Sequence, residues 1–269
     1  MSVHESIIAT KSNKERVALS GGTICPRFIE NMKEISRTNR PRVVIDTSAR
    51  KYPDKFKSIA RTYDELLENN GVPLPEYLQA ESESQSQHTL HRMIDDADIL
   101  LVLGGSTQLI HDRWNQRDIA DRIYARVASG ALAAAGASAG AMIWFENGYS
   151  DSMQQEVKEG AHWNYIKSDG LGLLPCVTTA HHSDVDEHSR PRDIGFRDFL
   201  LQEAHAYDTI RGVGFDTFAS LIAIEGVTRV INLAKDLKDP SHHDKDAAVH
   251  VYQYESGALI HTPLHDESM

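Results

Sequence analysis

Cysteine is scarce in this sequence: Cys25 and Cys176 are the only two among 269 residues. Two cysteines cannot form a disulfide framework, and these are not spaced as a zinc-binding C-x-x-C pair. Long apolar runs are also lacking, since none approaches the roughly 20 residues that cross a bilayer, and the opening stretch MSVHESIIATKSNKER is polar. We therefore expect a soluble cytoplasmic protein that does not bind membranes.

Positive charge is in short supply as well. Lysine and arginine total 28 against 39 acidic residues, which gives a formal net charge of −11. That balance opposes nucleic-acid binding. The apolar fraction of 41% is enough for one substantial core and excludes a disordered chain. We predict one α/β domain over residues 1–269, with residues 1–15 as a polar N-terminal extension, and leave homo-oligomerisation open.

Short apolar runs at 17–19, 43–45 and 99–103 each end in small or polar residues, as buried parallel strands do before a helix. Amphipathic stretches at 55–70 and 108–129 alternate with them. This alternation predicts a doubly wound, mostly parallel sheet.

Two polar segments and a C-terminal pattern complete the outline. Residues 81–87 fit a surface loop or the capped start of a helix, and residues 235–245 fit a polar loop. Two alternating runs around Ser256-Gly257 predict a terminal β-hairpin over 249–261.

The string Gly136-Ala137-Ser138-Ala139-Gly140 has the G-x-S-x-G form of a nucleophile elbow between a strand and a helix. Its small residues allow the sharp turn that exposes a nucleophilic serine, here Ser138. The amide of Ala139, at the mouth of the helix, would point toward a developing oxyanion. A tight packing turn without catalytic function is the alternative interpretation.

A nucleophilic serine needs a base, and His181-His182 stands at the end of a β-like run at 176–179. A histidine there can reach the sheet edge at which open α/β folds place their sites. Capping of the strand is the alternative. Asp151, Asp184 and Asp186 are candidates to orient the base, although each also suits a turn.

Gly104-Gly105-Ser106-Thr107 ends the strongest strand pattern. Its glycines allow a close backbone approach, which suits a second oxyanion donor. A phosphate site is disfavoured, because no lysine follows at the P-loop spacing. We assign Gly21-Gly22, after the first strand, only a structural role.

The order of these motifs, from the GG-x-T turn through the S-A-G-A elbow to a G-L-G-L-L-P run before a strand-end histidine, resembles peptidase family S51. That family of serine peptidases comprises peptidase E, the aspartyl dipeptidase, and cyanophycinase, and the resemblance spans residues 17–226. It implies a flavodoxin-like three-layer α/β/α fold, similar to class I glutamine amidotransferases, and no cofactor or metal. It also implies site roles: Ser138 as nucleophile, His181 as base, Asp151 as third member, and the Gly105 and Ala139 amides as oxyanion hole.

The sequence departs from the family pattern around the substrate. Ser106 replaces an asparagine, Ala137 a tryptophan, Ala180 a proline, and His182 an aromatic residue. These changes leave open whether the resemblance is to dipeptidases or to cyanophycinase.

Arginines 190, 192 and 197 follow the histidine, and a guanidinium can bind a carboxylate with two hydrogen bonds. Arg192 falls nearest to the arginine that recognises an acidic residue in peptidase E. The resemblance thus implies a short peptide substrate with an acidic residue at the scissile bond, bound by Arg192, Ser106 and Thr107.

Two other functions stay open. An α/β-hydrolase esterase would share the elbow but take its base from near the C-terminus, with His261 oriented by Asp216 or Asp236. A non-catalytic amidotransferase-like domain would bind a small molecule or partner. The group His242-His243, Asp244 and Asp246 lacks tetrahedral spacing and is interpreted as a solvated turn rather than a metal site.

Overall fold

The computed structural model describes residues 14–50, 56–152, 165–185, 191–204, 211–237, 239–242 and 245–266. Most of the predicted N-terminal extension therefore lies outside the described residues, as do Asp186, Arg190, His243 and Asp244. No helix among the described residues is both long and apolar enough to cross a membrane. Two sheets flanked by helices make up a mixed α/β fold, which confirms the predicted fold class.

The first sheet contains the apolar runs found in the N-terminal half of the sequence. Its strands are β1 (Arg16–Ser20), β2 (Val43–Asp46), β3 (Glu76–Leu78), β4 (Ile99–Val102), β5 (Ala133–Ala137), β10 (Ala219–Ile224) and β11 (Val227–Asn232). They pair in the order β11-β10-β1-β5-β4-β2-β3. The strands from β1 to β3 in this order are parallel, and β10 and β11 are added antiparallel at one edge.

The second sheet is formed by later parts of the chain. Its strands are β6 (Phe145–Ser150), β7 (Ile166–Asp169), β8 (Leu174–Ala180), β9 (Arg211–Phe215), β12 (Val249–Glu255) and β13 (Ala258–Leu264), in the order β13-β12-β9-β8-β6-β7. The central strands β6, β8 and β9 are parallel, and β12 and β13 form the predicted hairpin. Division into two sheets was not expected, because apolar periodicity identifies strands but does not say which strands pair.

Seven helices of the described chain connect these strands. They are α1 (Pro26–Ile35), α2 (Phe56–Asn69), α3 (Gln87–Asp96), α4 (Thr107–Gln116), α5 (Ala120–Ala128), α6 (Ala139–Met142) and α7 (Arg192–Ala204). The amphipathic stretch at 55–70 is α2. The polar segment at 81–87 ends in the cap of α3, where the Ser86 side chain accepts a hydrogen bond from the Thr89 amide.

The stretch at 108–129 is two helices rather than one. After α4, Asp118 adopts a φ of 48°, which interrupts the helical path before α5 begins. Its apolar side chains still share one face, because Trp114, Ile119 and Ile123 are all buried in the same core. The apolar periodicity of the sequence therefore continues across a break in the helical backbone, so the pattern alone does not reveal the break.

One apolar core joins the two sheets. It includes Val17 and Leu19 of β1 together with Val213 of β9 and Val249 of β12. The rings of Phe145 and Phe215, both in the second sheet, meet edge to face with their centroids 5.9 Å apart. The sheets therefore pack against a shared interior, and this packing sets how the ends of their strands are placed.

Candidate active site

Ser138 stands at the sharp turn between β5 and α6. Its backbone has a φ of 54° and a ψ of −123°, a strained conformation for a non-glycine residue. The flanking glycines make this turn sterically allowed. A Cβ on Gly136 would lie 1.9 Å from the Gly140 carbonyl oxygen, and a Cβ on Gly140 would lie 2.0 Å from that of Val102. The local geometry is that of a nucleophile elbow.

His181 reaches the elbow from the second sheet. It follows β8 directly and has a positive φ of 54°. Its Nε2 lies 2.9 Å from Ser138 Oγ, within hydrogen-bond distance. Gly22 leaves space for the imidazole, because a Cβ there would lie 2.4 Å from the Cε1 atom of His181. The structure thus brings together the two residues predicted to be nucleophile and base.

Thr217 and Asp184 contact the other nitrogen of His181. Nδ1 of His181 lies 2.8 Å from Oγ1 of Thr217, which donates to Oδ2 of Asp184 at 2.8 Å. Because a hydroxyl has one proton, the threonine that donates to Asp184 must accept from the N–H of the imidazole. This tautomer leaves the Nε2 lone pair facing Ser138, as a general base requires.

Asp184 stays charged beside this imidazole. Burial on its own raises the pKa of Asp184, but hydrogen bonds with His181 and Thr217 outweigh it and lower the pKa below its ordinary value. Oδ2 of Asp184 lies only 3.5 Å from Nδ1 of His181. Thr217 is itself fixed from the first sheet, since its carbonyl oxygen accepts from Oγ1 of Thr23 at 2.9 Å. The imidazole of His181 is therefore held by residues that follow strands of both sheets.

Asp151, predicted as the third member of the triad, makes a different contact. Its carboxylate accepts a hydrogen bond from Arg192 at 2.8 Å, and none of the hydrogen bonds between described residues joins it to His181. Asp151 pairs with Arg192 because the buried guanidinium of this arginine, at the start of α7, needs an anionic partner. Of the three candidates, Asp184 lies beside His181, while Asp186 lies outside the described residues.

Arg192, predicted to bind a substrate carboxylate, is buried and already paired. Besides Asp151, its guanidinium donates to the carbonyl oxygen of Ala180 at 2.8 Å and lies 5.1 Å from the centre of the Tyr165 ring. These contacts tie α7 to the residue immediately before His181. Binding of substrate by this arginine stays a prediction.

The strand-end turn after β4 lies against the elbow, as the predicted oxyanion hole requires. A Cβ on Gly104 would lie 3.1 Å from Cβ of Ser138. Gly105 has a φ of 153°, and a Cβ there would lie 2.4 Å from the Ala49 carbonyl oxygen. No described residue accepts a hydrogen bond from the amide of Gly105 or of Ala139, so both are free to donate to a substrate.

Ser106 and Thr107 have side chains that face the protein. Oγ of Ser106 caps α4 by accepting from the Leu109 amide, and Thr107 is buried with its Oγ1 4.0 Å from the Met142 sulfur. Their predicted contact with substrate stays a prediction.

The residues of the esterase alternative lie elsewhere. Nε2 of His261 is 3.0 Å from Nδ1 of His250, and Oδ2 of Asp216 is 3.1 Å from Nε2 of the same His250. Asp236 ends a short 3₁₀ helix, Ala234–Asp236. Within the described part of the chain, His181 is the histidine hydrogen-bonded to Ser138.

The family model for peptidase family S51 matches residues 17–214. The chain belongs to peptidase family S51. It is therefore a peptidase, that is, a hydrolase of amide bonds. The resemblance inferred from the ordered motifs is confirmed.

Solved structures with the S51 fold are similar to this chain. One, described as a peptidase E protein from Listeria monocytogenes EGD-e, has 17% identity, covers 81% of this chain and 98% of its own, and superposes with a TM-score of 0.56. Another, a peptidase from an acI-B1 Actinobacterium, has 17% identity, covers 92% of this chain and 97% of its own, with a TM-score of 0.59. No curated protein sequence matches the chain. At this identity the structural likeness shows the fold alone, which is the α/β fold of peptidase E.

Two residues of this S51 site were missed from sequence. Thr217 follows Asp216 after an apolar run, a position typical of a strand end, but a threonine there carries no catalytic signal. Gly22 was assigned only a structural role, although its missing side chain makes room for His181. The pairing of β8 with β9, which sets Ala180 opposite Phe215, is what brings Thr217 beside the base.

Proposed function

We propose that this S51 chain is a serine peptidase in which Ser138 is the nucleophile and His181 the general base. The observation that carries the proposal is the 2.9 Å contact between Ser138 Oγ and His181 Nε2, on a strained elbow whose neighbouring amides are free. A nucleophile paired with an oriented base is the recurring arrangement of acyl-transfer enzymes.

The reaction follows from these positions. Ser138 Oγ attacks the carbonyl carbon while its proton moves to His181 Nε2, and the amides of Gly105 and Ala139 stabilise the oxyanion. The imidazolium then gives that proton to the leaving amine, so that the C–N bond breaks and an ester to Ser138 remains. A water molecule, deprotonated by the same Nε2, hydrolyses the ester and restores the serine.

Thr217 and Asp184 support the charged form of the base. When Nε2 takes the proton, Nδ1–H still donates to Oγ1 of Thr217, and the negative Asp184 lies 3.5 Å from Nδ1. The threonine hydroxyl therefore stands between imidazole and carboxylate as a neutral link, with the charge of Asp184 stabilising the imidazolium.

Labelling with a fluorophosphonate, followed by mass-spectrometric mapping, tests the serine mechanism without knowledge of the substrate. We expect one modified residue, Ser138, because the reagent needs a nucleophile activated by a base and an oxyanion hole. Labelling at another serine would contradict the mechanism. Failure of the folded protein to label would favour the non-catalytic binding domain.

Replacing Thr217 with valine should reduce kcat by about 10²-fold, because the imidazole loses its partner and the imidazolium its link to a charge. Asp184→Asn should act in the same direction. Asp151→Asn is the matched control, since it keeps an oxygen for Arg192 and lies away from the base. The labelling rates of the three variants test which aspartate acts with His181. A larger loss in Asp151→Asn than in Asp184→Asn would favour Asp151 as the third member of the triad.

The substrate we propose is a short peptide with an acidic residue at the scissile bond, and the compartment the cytoplasm. The resemblance of Arg192 to the recognition arginine of peptidase E supports this choice. Asp151 already neutralises much of the guanidinium charge, so we expect only about a tenfold preference for Asp-Leu over Asn-Leu in kcat/KM.

The Arg192→Ala variant distinguishes two roles of this arginine, binding the acidic residue of the substrate and holding the chain next to His181. Its loss should lower the rate on every dipeptide, because Ala180 loses a hydrogen bond next to the base, and should also abolish the ratio between Asp-Leu and Asn-Leu. Arg197→Ala, on the same helix, is the control. Equal wild-type rates on Asp-Leu and Ala-Leu would exclude acidic specificity, and an unchanged ratio in Arg192→Ala would assign recognition to another residue.

A further inference from the structure

Behind the base lies a group of three imidazoles, one phenol and one carboxylate, which we call the histidine cluster: His182, His250, His261, Tyr252 and Asp216. The rings of His182 and His250 stack with centroids 3.9 Å apart, and His261 stacks on Tyr252 at 4.5 Å. Nε2 of His182 is 2.7 Å from the Tyr252 hydroxyl. The mechanism above uses none of these groups.

Asp216 ties three parts of the chain together through this cluster. One of its oxygens accepts from the Ser183 amide at 3.2 Å, and the other accepts from the Ala248 amide at 2.9 Å and from Nε2 of His250 at 3.1 Å. Burial alone raises the pKa of Asp216, but hydrogen bonds with the side chains of His182, His250 and Ser183 together hold that pKa far below its ordinary value. The carboxylate is therefore an anion at neutral pH.

The cluster adjoins the catalytic groups along the chain. His182 follows His181, its amide donates to the Phe215 carbonyl oxygen at 2.8 Å, and Asp216 precedes Thr217. A Cβ on Gly214 would lie 2.3 Å from the His182 ring, so β9 is open at this point to receive that ring. The turn carrying His181 and Asp184 is thus fastened to β9 from its buried side.

The cluster also has the residue types of a metal site, since ligand atoms of His182, Asp216 and His250 all lie within 4.8 Å of one another. The stacking argues against it. Two imidazoles that bind one tetrahedral zinc at 2.0–2.1 Å have centroids about 5 Å apart, with nitrogens converging on the ion. Here the rings are 3.9 Å apart and only 21° from parallel. Both oxygens of Asp216 also already accept backbone amides.

We propose that Asp216 is a positioning residue for the base: with His182 and His250 it fixes the turn that carries His181, and proton uptake by the cluster releases that turn. The proposal rests on His181 being the base of the proposed peptidase. At neutral pH the single anion, Asp216, matches at most one imidazolium. A second proton places two cations face to face with one counterion between them.

Two charged residues of α7 also act on the cluster. The charge of Asp193 raises the pKa of His182 and of His261, whereas the charge of Arg197 lowers that of His261, and the two act on Tyr252 with opposite signs. Burial lowers the pKa of His182, and burial with the charges of His250 and His182 lowers that of His261. These imidazoles resist protons that the unfolded chain accepts, so the cluster loses stability as the pH falls below about 6.5.

The test is the rate of fluorophosphonate labelling of Ser138 as a function of pH, in the wild type, His250→Gln and Asp216→Asn. Glutamine keeps an N–H for Asp216 but cannot take a proton. On its acid side, the wild-type log rate should fall more steeply with pH than that of His250→Gln, because the variant has one group fewer that can take a proton. Asp216→Asn should label roughly tenfold or more slowly at about pH 8, because the turn loses the anion that holds it. His88→Gln, on the exposed face of α3, is the control.

Each outcome separates this proposal from the proposed function. A wild type that does not label refutes the serine mechanism, and the positioning role falls with it. A labelled wild type whose acid slope matches that of His250→Gln overturns the positioning proposal alone, because a merely structural histidine changes the melting temperature and not the slope. Zn²⁺ that raises the melting temperature of the wild type but not of His250→Gln would reassign the cluster as a metal site. If Asp216→Asn does not fold, the comparison of slopes decides.

Discussion

Ser138→Ala should lose hydrolysis by about 10⁴-fold or more while keeping the native fold, because the only atom that forms the acyl ester is removed. Alanine can occupy the turn, since its β-carbon has the position already taken by that of serine. The measurement is kcat/KM on the best substrate of a dipeptide panel, with the melting temperature of each variant.

Two further variants sharpen this result. Ser129→Ala, at the C-terminal end of α5, removes a hydroxyl whose hydrogen bond within the described part of the chain goes to the Arg126 carbonyl, and it should leave the rate unchanged. Ser138→Gly should be as inactive as the alanine variant but more stable by roughly 1 kcal/mol, because glycine relieves the strain of a φ of 54°. Near-native turnover in Ser138→Ala would refute the mechanism.

His181→Ala should lower kcat by about 10³-fold to 10⁴-fold, since the serine proton then has no acceptor. His261→Ala is the comparison that separates the peptidase from the esterase alternative. It removes a ring of the histidine cluster and should cost far less activity than loss of the base. Both variants are measured by labelling rate and by turnover.

The reverse order of effects would transfer the base to His261 and favour the esterase. A strong loss in His182→Ala with none in His181→Ala would mean that the adjacent histidine is the base. The geometry opposes that result, because Nε2 of His182 is bonded to Tyr252 and its ring is buried on the far side of the turn.

The elbow could be predicted from sequence because its geometry is local. Gly136 and Gly140 must be glycine because their neighbours, within a few residues or on the adjacent strand, leave no room for a Cβ. A pentapeptide is therefore enough to predict the turn. His181 could be predicted for a related reason: a histidine at the end of a parallel strand lies at the same edge as other strand ends.

Which aspartate lies beside His181 could not be predicted, because this depends on pairings between distant segments. Asp151 and Asp184 are both acidic residues in turn-like surroundings, and the sequence does not distinguish them. The choice is made by α7, whose Arg192 neutralises Asp151, and by the register of β8 and β9, which places Thr217 between His181 and Asp184. For the same reason, the sequence does not show that the strands form two sheets.

The proposed nucleophile and base follow strands of different sheets: Ser138 follows β5 of the first, and His181 follows β8 of the second. The length of the hydrogen bond between Ser138 and His181 therefore depends on how the two sheets pack. A slide of even 1 Å at their common interior would lengthen the path of proton transfer without touching a reacting atom. We therefore expect the packing of interior residues such as Leu19 and Val213, which lie in the shared core, to affect the rate of acylation.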